Sequence, residues 1–485
     1  MPRSTAARVL AFAALALGLG LRVRIVFSDD GINWPDEIYQ SFEPAHRLVF
    51  GHGLVAWEFL EGARTWAVPG FVAAWLFLCK LVGADSPTVY VPVVKLAFSA
   101  LALVGAAGVA RLARAFGARE LEAWAAAALW ALCAVGLYFS HRAMSENLAA
   151  ALVPWGLALA WDEGSARRER LLGASCLGLA TLARLQVGLL CAVALLVVLA
   201  RALRAKGAPA RWAPLREVAL GLGAWALVYG LWDAAAWHDA PGARFGGLFH
   251  SAVVYVRFNV IEGRSAGWGT SPWSYYVEHL WRSMPGVTLA LGLAVVPSLR
   301  RAWPVALAAA AFVALHVAVP HKELRFLLPA LPLAAALVGV ALSQLPAQPA
   351  RLGLALVALA ALPSTWNHRA LTMGQVGSYP ERPDSSAWDD FGPVNRLLLA
   401  ASRRGDVCGL RVDAAHLAWT GGSTYLHVKA PLYMPGTPPQ GRHFNYAITR
   451  PGSGAEPIAR EGPWELVRLA GFTCVPDVGY SWRLP

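Results

Sequence analysis

The stretch 303-WPVALAAAAFVALHVAVPHKELRFLLPALPLAAALVGVAL-342 decides the fold. Its two apolar runs, Trp303–Pro320 and Phe326–Leu342, each approach the ~20 residues that cross a bilayer as a helix. Between them, His321-Lys322-Glu323-Leu324-Arg325 sets four ionisable side chains within five positions. Charges beside membrane-spanning sequence are too costly to leave against lipid, so they face a cavity or a polar ligand, or snorkel to the interface. A His, a Lys and an Arg together suit an anion such as a phosphate.

The pattern extends outward. The chain has 485 residues, 57% hydrophobic and 15% charged, with mean hydropathy +0.46. Soluble domains carry roughly 25% charged residues. Apolar runs near 8–27, 88–110, 121–139, 147–162, 171–185, 187–201, 217–236, 279–298, 303–319, 326–343 and 351–363 predict an all-α polytopic membrane protein of about 11 helices. The run 66–83 is interrupted by Pro69 and Gly70 and reads as an interfacial or re-entrant piece. The net charge of +12 is not a nucleic-acid signal. The basic residues cluster in short loops, among them Arg111/Arg114/Arg119, Arg167/Arg168/Arg170 and Arg201/Arg204/Lys206/Arg211/Arg216. With the N-terminus inside, these loops satisfy the positive-inside rule. Segments 28–87, 140–146, 237–278, His321–Arg325 and the tail then fall together on the outer side.

Residues 1–365 read as the membrane domain, with a functional first outer loop over 28–87. Residues 366–485, rich in Gly, Pro and short alternating runs, read as a small mixed α/β extracytoplasmic domain. Cys408 and Cys474 lie in that tail and are candidates for a disulfide in an oxidising compartment.

The first outer loop contains Asn33-Trp34-Pro35-Asp36-Glu37, a helix-start signal with two carboxylates in the first turn. The helix dipole favours their ionised forms, which suits a general base. An acidic base opposite a cationic anchor is what transfer from a phosphate-linked donor needs. The base takes a proton from the acceptor hydroxyl, and the cations hold the phosphate as its charge develops.

Several motifs carry a resemblance. They are Trp34-Pro35-Asp36-Glu37 with Gln40, Glu43, Ala45-His46 and Trp57-Glu58; Arg64-Thr65-Trp66; Tyr-free Gly267-Trp268-Gly269-Thr270-Ser271-Pro272-Trp273; His321-Lys322-Glu323-Leu324-Arg325-Phe326; and Gly421–His427. In that order they resemble the family-22 glycosyltransferases of the GT-C fold, which includes mannosyltransferases acting in GPI-anchor and N-glycan assembly. Trp34 and Ser271 stand where the family pattern has histidine, so no role passes to those positions.

The resemblance implies Asp36 as catalytic base with Glu37 assisting or orienting; Asp29 and Asp30 are runners-up that composition alone supports. It implies His321, Lys322 and Arg325 on the donor phosphate, and Glu43, His46, Glu58, Arg64 and Trp273 as substrate contacts; Arg184, in an apolar hairpin, needs a partner and makes either a structural salt bridge or a contact to the donor phosphate. Glu323 is expected to pair with a neighbouring cation. Arg142 and Glu146 lie on the active side and read first as interfacial, and Trp268, Trp273, Tyr275 and Tyr276 either stack on a sugar or a lipid or, as the preferred reading, form an aromatic belt. The expected activity is an inverting α-mannosyl transfer from a polyprenyl-phosphate sugar to a lipid-linked or exported glycan, with no metal and no cofactor. The rival expectation is a flippase for a lipid-linked oligosaccharide. A flippase should place charges near the bilayer midplane on repeated halves, and the sequence shows neither. The Ala/Arg/Gly-rich composition and absent glycosylation sequons suggest a bacterial inner membrane with the site facing the periplasm or exterior.

Overall fold

Every apolar run read from the sequence is helical. The computed structural model describes residues 2–32, 34–205, 209–377, 382–435, 443–452, 457–469 and 475–484. The helices are Pro2–Val26, Pro87–Ala115, Glu120–Leu132, Ala134–Phe139, Ser145–Trp161, Arg167–Ala183, Gly188–Arg204, Ala213–Trp237, Pro285–Ala318, Leu331–Ser343 and Ala347–Trp366. Among the described residues, 6 helices are long and apolar enough to cross a membrane, by length and composition.

Three local departures have physical causes. The run 121–139 breaks at Cys133, whose backbone is extended and whose sulfur accepts from Gly136 N–H at 3.3 Å. Arg22, buried in the first helix, donates to the carbonyl of Ala131 at 2.9 Å and that of Gly18 at 3.1 Å. The break thus supplies an acceptor for a charge otherwise costly in an apolar span. The Pro285–Ala318 run leaves helical geometry at Ala302, so it is two helices meeting where the sequence has Arg300 and Arg301. Phe326 and Leu327 belong to a 3-10 turn, Leu324–Leu327, and the following helix starts at Leu331 with Pro332 in its first turn. The interrupted run 66–83 is one helix, Ala67–Leu81. Pro69 falls in its first turn, where the missing N–H costs nothing.

The chain divides into two compact units. One comprises Met1–Arg24 and Leu96–Pro380, and the other Ile25–Lys95 and Glu381–Pro485. This differs from the division at 365 read from the sequence, because the first loop belongs to the same unit as the tail. Gly31 N–H donates to Trp388 O at 3.1 Å, Ile32 N–H to Asp390 O at 3.0 Å and Val55 N–H to Trp482 O at 2.7 Å. Backbone polar groups of a loop must find partners, and here they find them in residues over 350 positions away.

The tail carries a five-stranded mixed sheet in the order β2-β1-β3-β5-β4, with β1 Leu410–Val412, β2 Leu432–Tyr433, β3 Tyr446–Thr449, β4 Pro457–Glu461 and β5 Trp464–Arg468. Strand β1 runs parallel to β2 and β3, while β5 runs antiparallel to β3 and β4. The helix Gly392–Ser402 buries Val394, Leu397, Leu398 and Ala401. The expected mixed α/β tail is therefore present. Cys408 is disulfide-bonded; Cys474 lies outside the described residues, as do Asn33 and Lys206.

Candidate active site

A cationic cluster is built where helix ends meet in the helical unit. Helices Ser145–Trp161 and Arg167–Ala183 are antiparallel neighbours. They touch at Gly156 and Gly173, where a Cβ on Gly173 would lie 2.8 Å from the Gly156 carbonyl oxygen. Such close approach needs glycine. It brings Glu146, in the first turn of one helix, to Arg184, just beyond the end of the other. Arg184 Nη1 donates to Glu146 Oε1 at 2.7 Å, and Arg325 Nη1 donates to the same oxygen at 2.8 Å. All three side chains are at most 4% exposed. Asn147 pins the preceding turn by donating to the carbonyls of Phe139 at 2.6 Å and Arg142 at 2.7 Å.

Glu323 accepts a two-point contact from Arg325, with Nε at 2.8 Å and Nη2 at 2.9 Å. Its other neighbour is His321 Nε2 at 3.1 Å. Burial pushes the Glu323 carboxyl up, but Arg325 and His321 outweigh this and hold it down at about 2. Burial opposes a charged His321, yet the Glu323 contact wins and raises its pKa. Glu323 thus pairs with cations, as the sequence suggested.

His321 and Lys322 are engaged with the protein. His321 Nδ1 bonds to Gly269 O at 3.1 Å. Lys322 Nζ donates to Val319 O at 2.7 Å and Ser271 O at 2.9 Å. Both hold the 269–271 segment against the charged turn. Arg184 differs: its buried Nε–H has no hydrogen-bond partner among the described residues.

Sequence reasoning misjudged several positions here. Glu146 and Arg142 are 1% and 0% exposed, so they are not interfacial. Trp268 and Trp273 are exposed, as a belt would require, but Tyr275 and Tyr276 are buried. Helix Tyr275–Ser283 is amphipathic, turning those two rings inward while Val277 and Trp281 face out.

A separate group of acidic side chains lies in the other unit. Pro35 opens the short helix Pro35–Glu37, as its fixed φ favours. A π-helical segment, Ile38–Phe42, leads into helix Glu43–Phe50. Asp36 is half-buried and Glu37 buried. Gln40, one turn on, donates from Nε2 to Glu58 Oε1 at 2.7 Å. Burial and the Asp36 charge push the Glu58 carboxyl up to about 7, with Arg64 and Gln40 pulling the other way. Asp36, Gln40, Glu58 and Arg64 are therefore one electrostatic group.

Glu43 and His46 face inward to the protein itself. Glu43 accepts from Thr424 N–H at 2.6 Å, Thr424 Oγ1 at 2.8 Å and Leu54 N–H at 2.6 Å. Gly422 has φ +54°, and a Cβ there would stand 2.9 Å from the Glu43 carboxyl. His46 Nδ1–H donates to His52 O at 2.8 Å, so its Nε2 accepts from His427 Nδ1–H at 3.0 Å. Tyr90 Oη donates to the Thr424 carbonyl. Asp29 and Asp30 are likewise tied in: Asp29 Oδ1 accepts from Gly31 N–H at 3.1 Å, and Asp30 meets Arg396 at 3.2 Å. The partnership of His46 with His427 had one trace in the sequence, the family-like segment Gly421–His427, which by itself names no partner.

Residues 16–376 match the Alg9-like mannosyltransferase family. The chain belongs to that family. GPI alpha-1,2-mannosyltransferase 3 of Xenopus laevis is 26% identical over 325 residues, covering 64% of this chain and 56% of the relative. GPI mannosyltransferase 3 of Yarrowia lipolytica is 28% identical, covering 64% of this chain and 58% of the relative. The chain thus spans a little over half the length of the curated relatives it matches. Among solved structures, ArnT from Cupriavidus metallidurans bound to undecaprenyl phosphate aligns with TM-score 0.60 at 14% identity, over 95% of this chain and 98% of that one. At that identity the likeness speaks to the fold, a membrane GT-C architecture, and so agrees with the fold expected from the sequence.

Proposed function

We propose that the protein is an inverting α-mannosyltransferase that takes its sugar from a polyprenyl-phosphate carrier and passes it to a lipid-linked or exported glycan. The observation that carries the reading is the buried Arg184–Glu146–Arg325 cluster in a chain of the Alg9-like family. Within that cluster the buried Nε–H of Arg184 has no hydrogen-bond partner among the described residues and is a charged donor for an anion. ArnT, which shares the fold, binds undecaprenyl phosphate.

In this reading Asp36 is the base, with Glu37 supporting it. The acceptor hydroxyl oxygen attacks the anomeric carbon as its proton passes to Asp36. The bond from that carbon to the phosphate oxygen breaks, and the electron pair leaves with polyprenyl phosphate. Attack opposite the leaving group inverts the centre. Arg184 and Arg325 stabilise the departing charge, and no metal or cofactor is invoked. His321, Lys322 and Glu323 position Arg325 and its surrounding loop, a narrower assignment than direct phosphate contact by all four cations. Glu58 and Arg64 tune Asp36, Glu43 and His46 position its loop, and Trp273, 77% exposed, is left as a contact for lipid or substrate.

The disulfide at Cys408 supports an oxidising compartment for the tail. With the basic-loop pattern it favours a bacterial inner membrane with the tail facing the periplasm or exterior. The test is transfer of radiolabel from polyprenyl-phosphate mannose to a lipid extract of the host by purified protein in nanodiscs. A new labelled glycolipid is expected. Saturable donor binding with no product in any acceptor extract, together with carrier translocation in sealed vesicles, contradicts the reading and returns the flippase.

A further inference from the structure

Two buried polar atoms beside the arginine cluster have no hydrogen-bond partner among the described residues: Tyr276 Oη and His316 Nε2. Tyr276 is 2% exposed and His316 5%. Buried polar atoms are almost always partnered, so two at one place call for an explanation. They share that place with a third, Arg184 Nε.

Phe326 organises the group. The Arg184 guanidinium lies 5.1 Å from its ring centroid and the Arg325 guanidinium 5.0 Å. The His316 ring is 6.0 Å from the same ring. Tyr276 feels the charges of Arg184, Glu323 and Arg325, and His316 those of Arg184 and Glu146. Helix Tyr275–Ser283, the end of helix Pro285–Ala318, the turn Leu324–Leu327 and Arg184 thus each contribute to this group.

The chemistry of the two atoms differs. Burial keeps the Tyr276 phenol protonated, so it can donate to an anion. His316 Nδ1 bonds to the Phe312 carbonyl at 2.8 Å, which requires the proton on Nδ1. In the neutral ring Nε2 is then an acceptor, and its complement is a hydroxyl or another N–H. A phosphodiester offers no such donor, whereas a sugar offers several.

We propose that Tyr276 and His316 complete a sugar-phosphate site on the Arg184–Arg325 cluster, with Tyr276 donating to a phosphate oxygen and His316 Nε2 accepting from a hydroxyl of the transferred sugar. The proposal rests on the donor reading above and deepens it. It makes His316 a specificity determinant and Tyr276 an anion contact.

The test measures binding of two probes, undecaprenyl phosphate and its mannosyl ester, to the full chain in nanodiscs. Wild type should prefer the mannosyl ester. Tyr276→Phe should weaken both probes about tenfold, the scale of one hydrogen bond to a charged group. His316→Phe should weaken only the mannosyl ester, by about tenfold, leaving undecaprenyl phosphate within about twofold. His316→Gln, which offers an acceptor oxygen, should recover most of that loss. Equal weakening of both probes by His316→Phe with no recovery in His316→Gln means a packing role and overturns the proposal. Unchanged binding in both phenylalanine variants, or a wild type that binds the probes equally, also overturns it. A wild type that binds neither probe removes the donor reading, and this proposal with it.

Discussion

Glu43 and Glu323 are both largely shut away from solvent, yet their carboxyls are driven in opposite directions. Glu43 is pushed up to about 7 because burial outweighs its bonds to Thr424 and Leu54, which are neutral donors. Glu323 is held down at about 2 because Arg325 and His321 supply full positive charge. Burial alone does not set the charge of a carboxyl; the charge of its partner does. The first-loop and tail unit uses acids to knit distant segments together. The helical unit uses acids to hold arginines in place. The same residue type serves as mortar at Glu43 and as a counter-ion at Glu323.

The sharpest way to break this contrast is to remove the cations. Changing Arg184 and Arg325 together to Met should cut affinity for polyprenyl phosphate by at least about a hundredfold, since charge-assisted bonds are the strong ones. Changing Arg325 alone should also destabilise the helical unit by roughly 3–5 kcal/mol, because Glu146 and Glu323 lose a buried partner. Equilibrium binding and thermal melting in nanodiscs read the two effects. Retained affinity in the double variant removes these arginines from the phosphate site.

Glu43→Ala probes the mortar. It strands the buried N–H groups of Thr424 and Leu54, at a cost of about 3 kcal/mol to the loop-and-tail unit. Faster proteolysis of the tail should follow, with undecaprenyl phosphate affinity unchanged. Loss of that affinity with an intact tail would mean that Glu43 touches substrate, as the sequence alone suggested.

A smaller effect sharpens the contrast at Asp36. Glu58, raised to about 7, is protonated below that pH and ionised above it. An ionised Glu58 adds negative charge where the acceptor's proton must leave, so wild-type kcat should rise several-fold from about pH 6 to pH 8. Glu58→Gln cannot ionise and should give a flat profile across that window. A profile that keeps its rise in Glu58→Gln assigns the titration to another group.

The helices were legible because apolar length is written directly in composition, and the tail because its Gly, Pro and polar residues end that apolar pattern, although strands such as Tyr446–Thr449 and Trp464–Arg468 are buried in continuous runs and do not alternate. The chemistry-bearing residues were legible as motifs, but not their division of labour. His321 and Lys322 stand next to Arg325 in sequence, and nothing local says that their polar atoms are spent on Gly269 and Ser271. Glu146 looked interfacial because Arg184 and Arg325 lie 38 and 179 residues away. His316 sits inside an apolar run, where a lone histidine gives no sign of what it faces. The break at Cys133 that accommodates Arg22 left no proline or glycine at the break itself to announce it.

The central claim is that the arginine cluster binds the donor and Asp36 performs the transfer. Its most direct test measures donor binding and single-turnover transfer in Asp36→Asn beside wild type. The account predicts donor affinity within about twofold of wild type, and transfer slowed by about a thousandfold, within the range of a lost general base. Transfer at the wild-type rate in Asp36→Asn, or loss of turnover that follows loss of donor affinity in proportion, would contradict it.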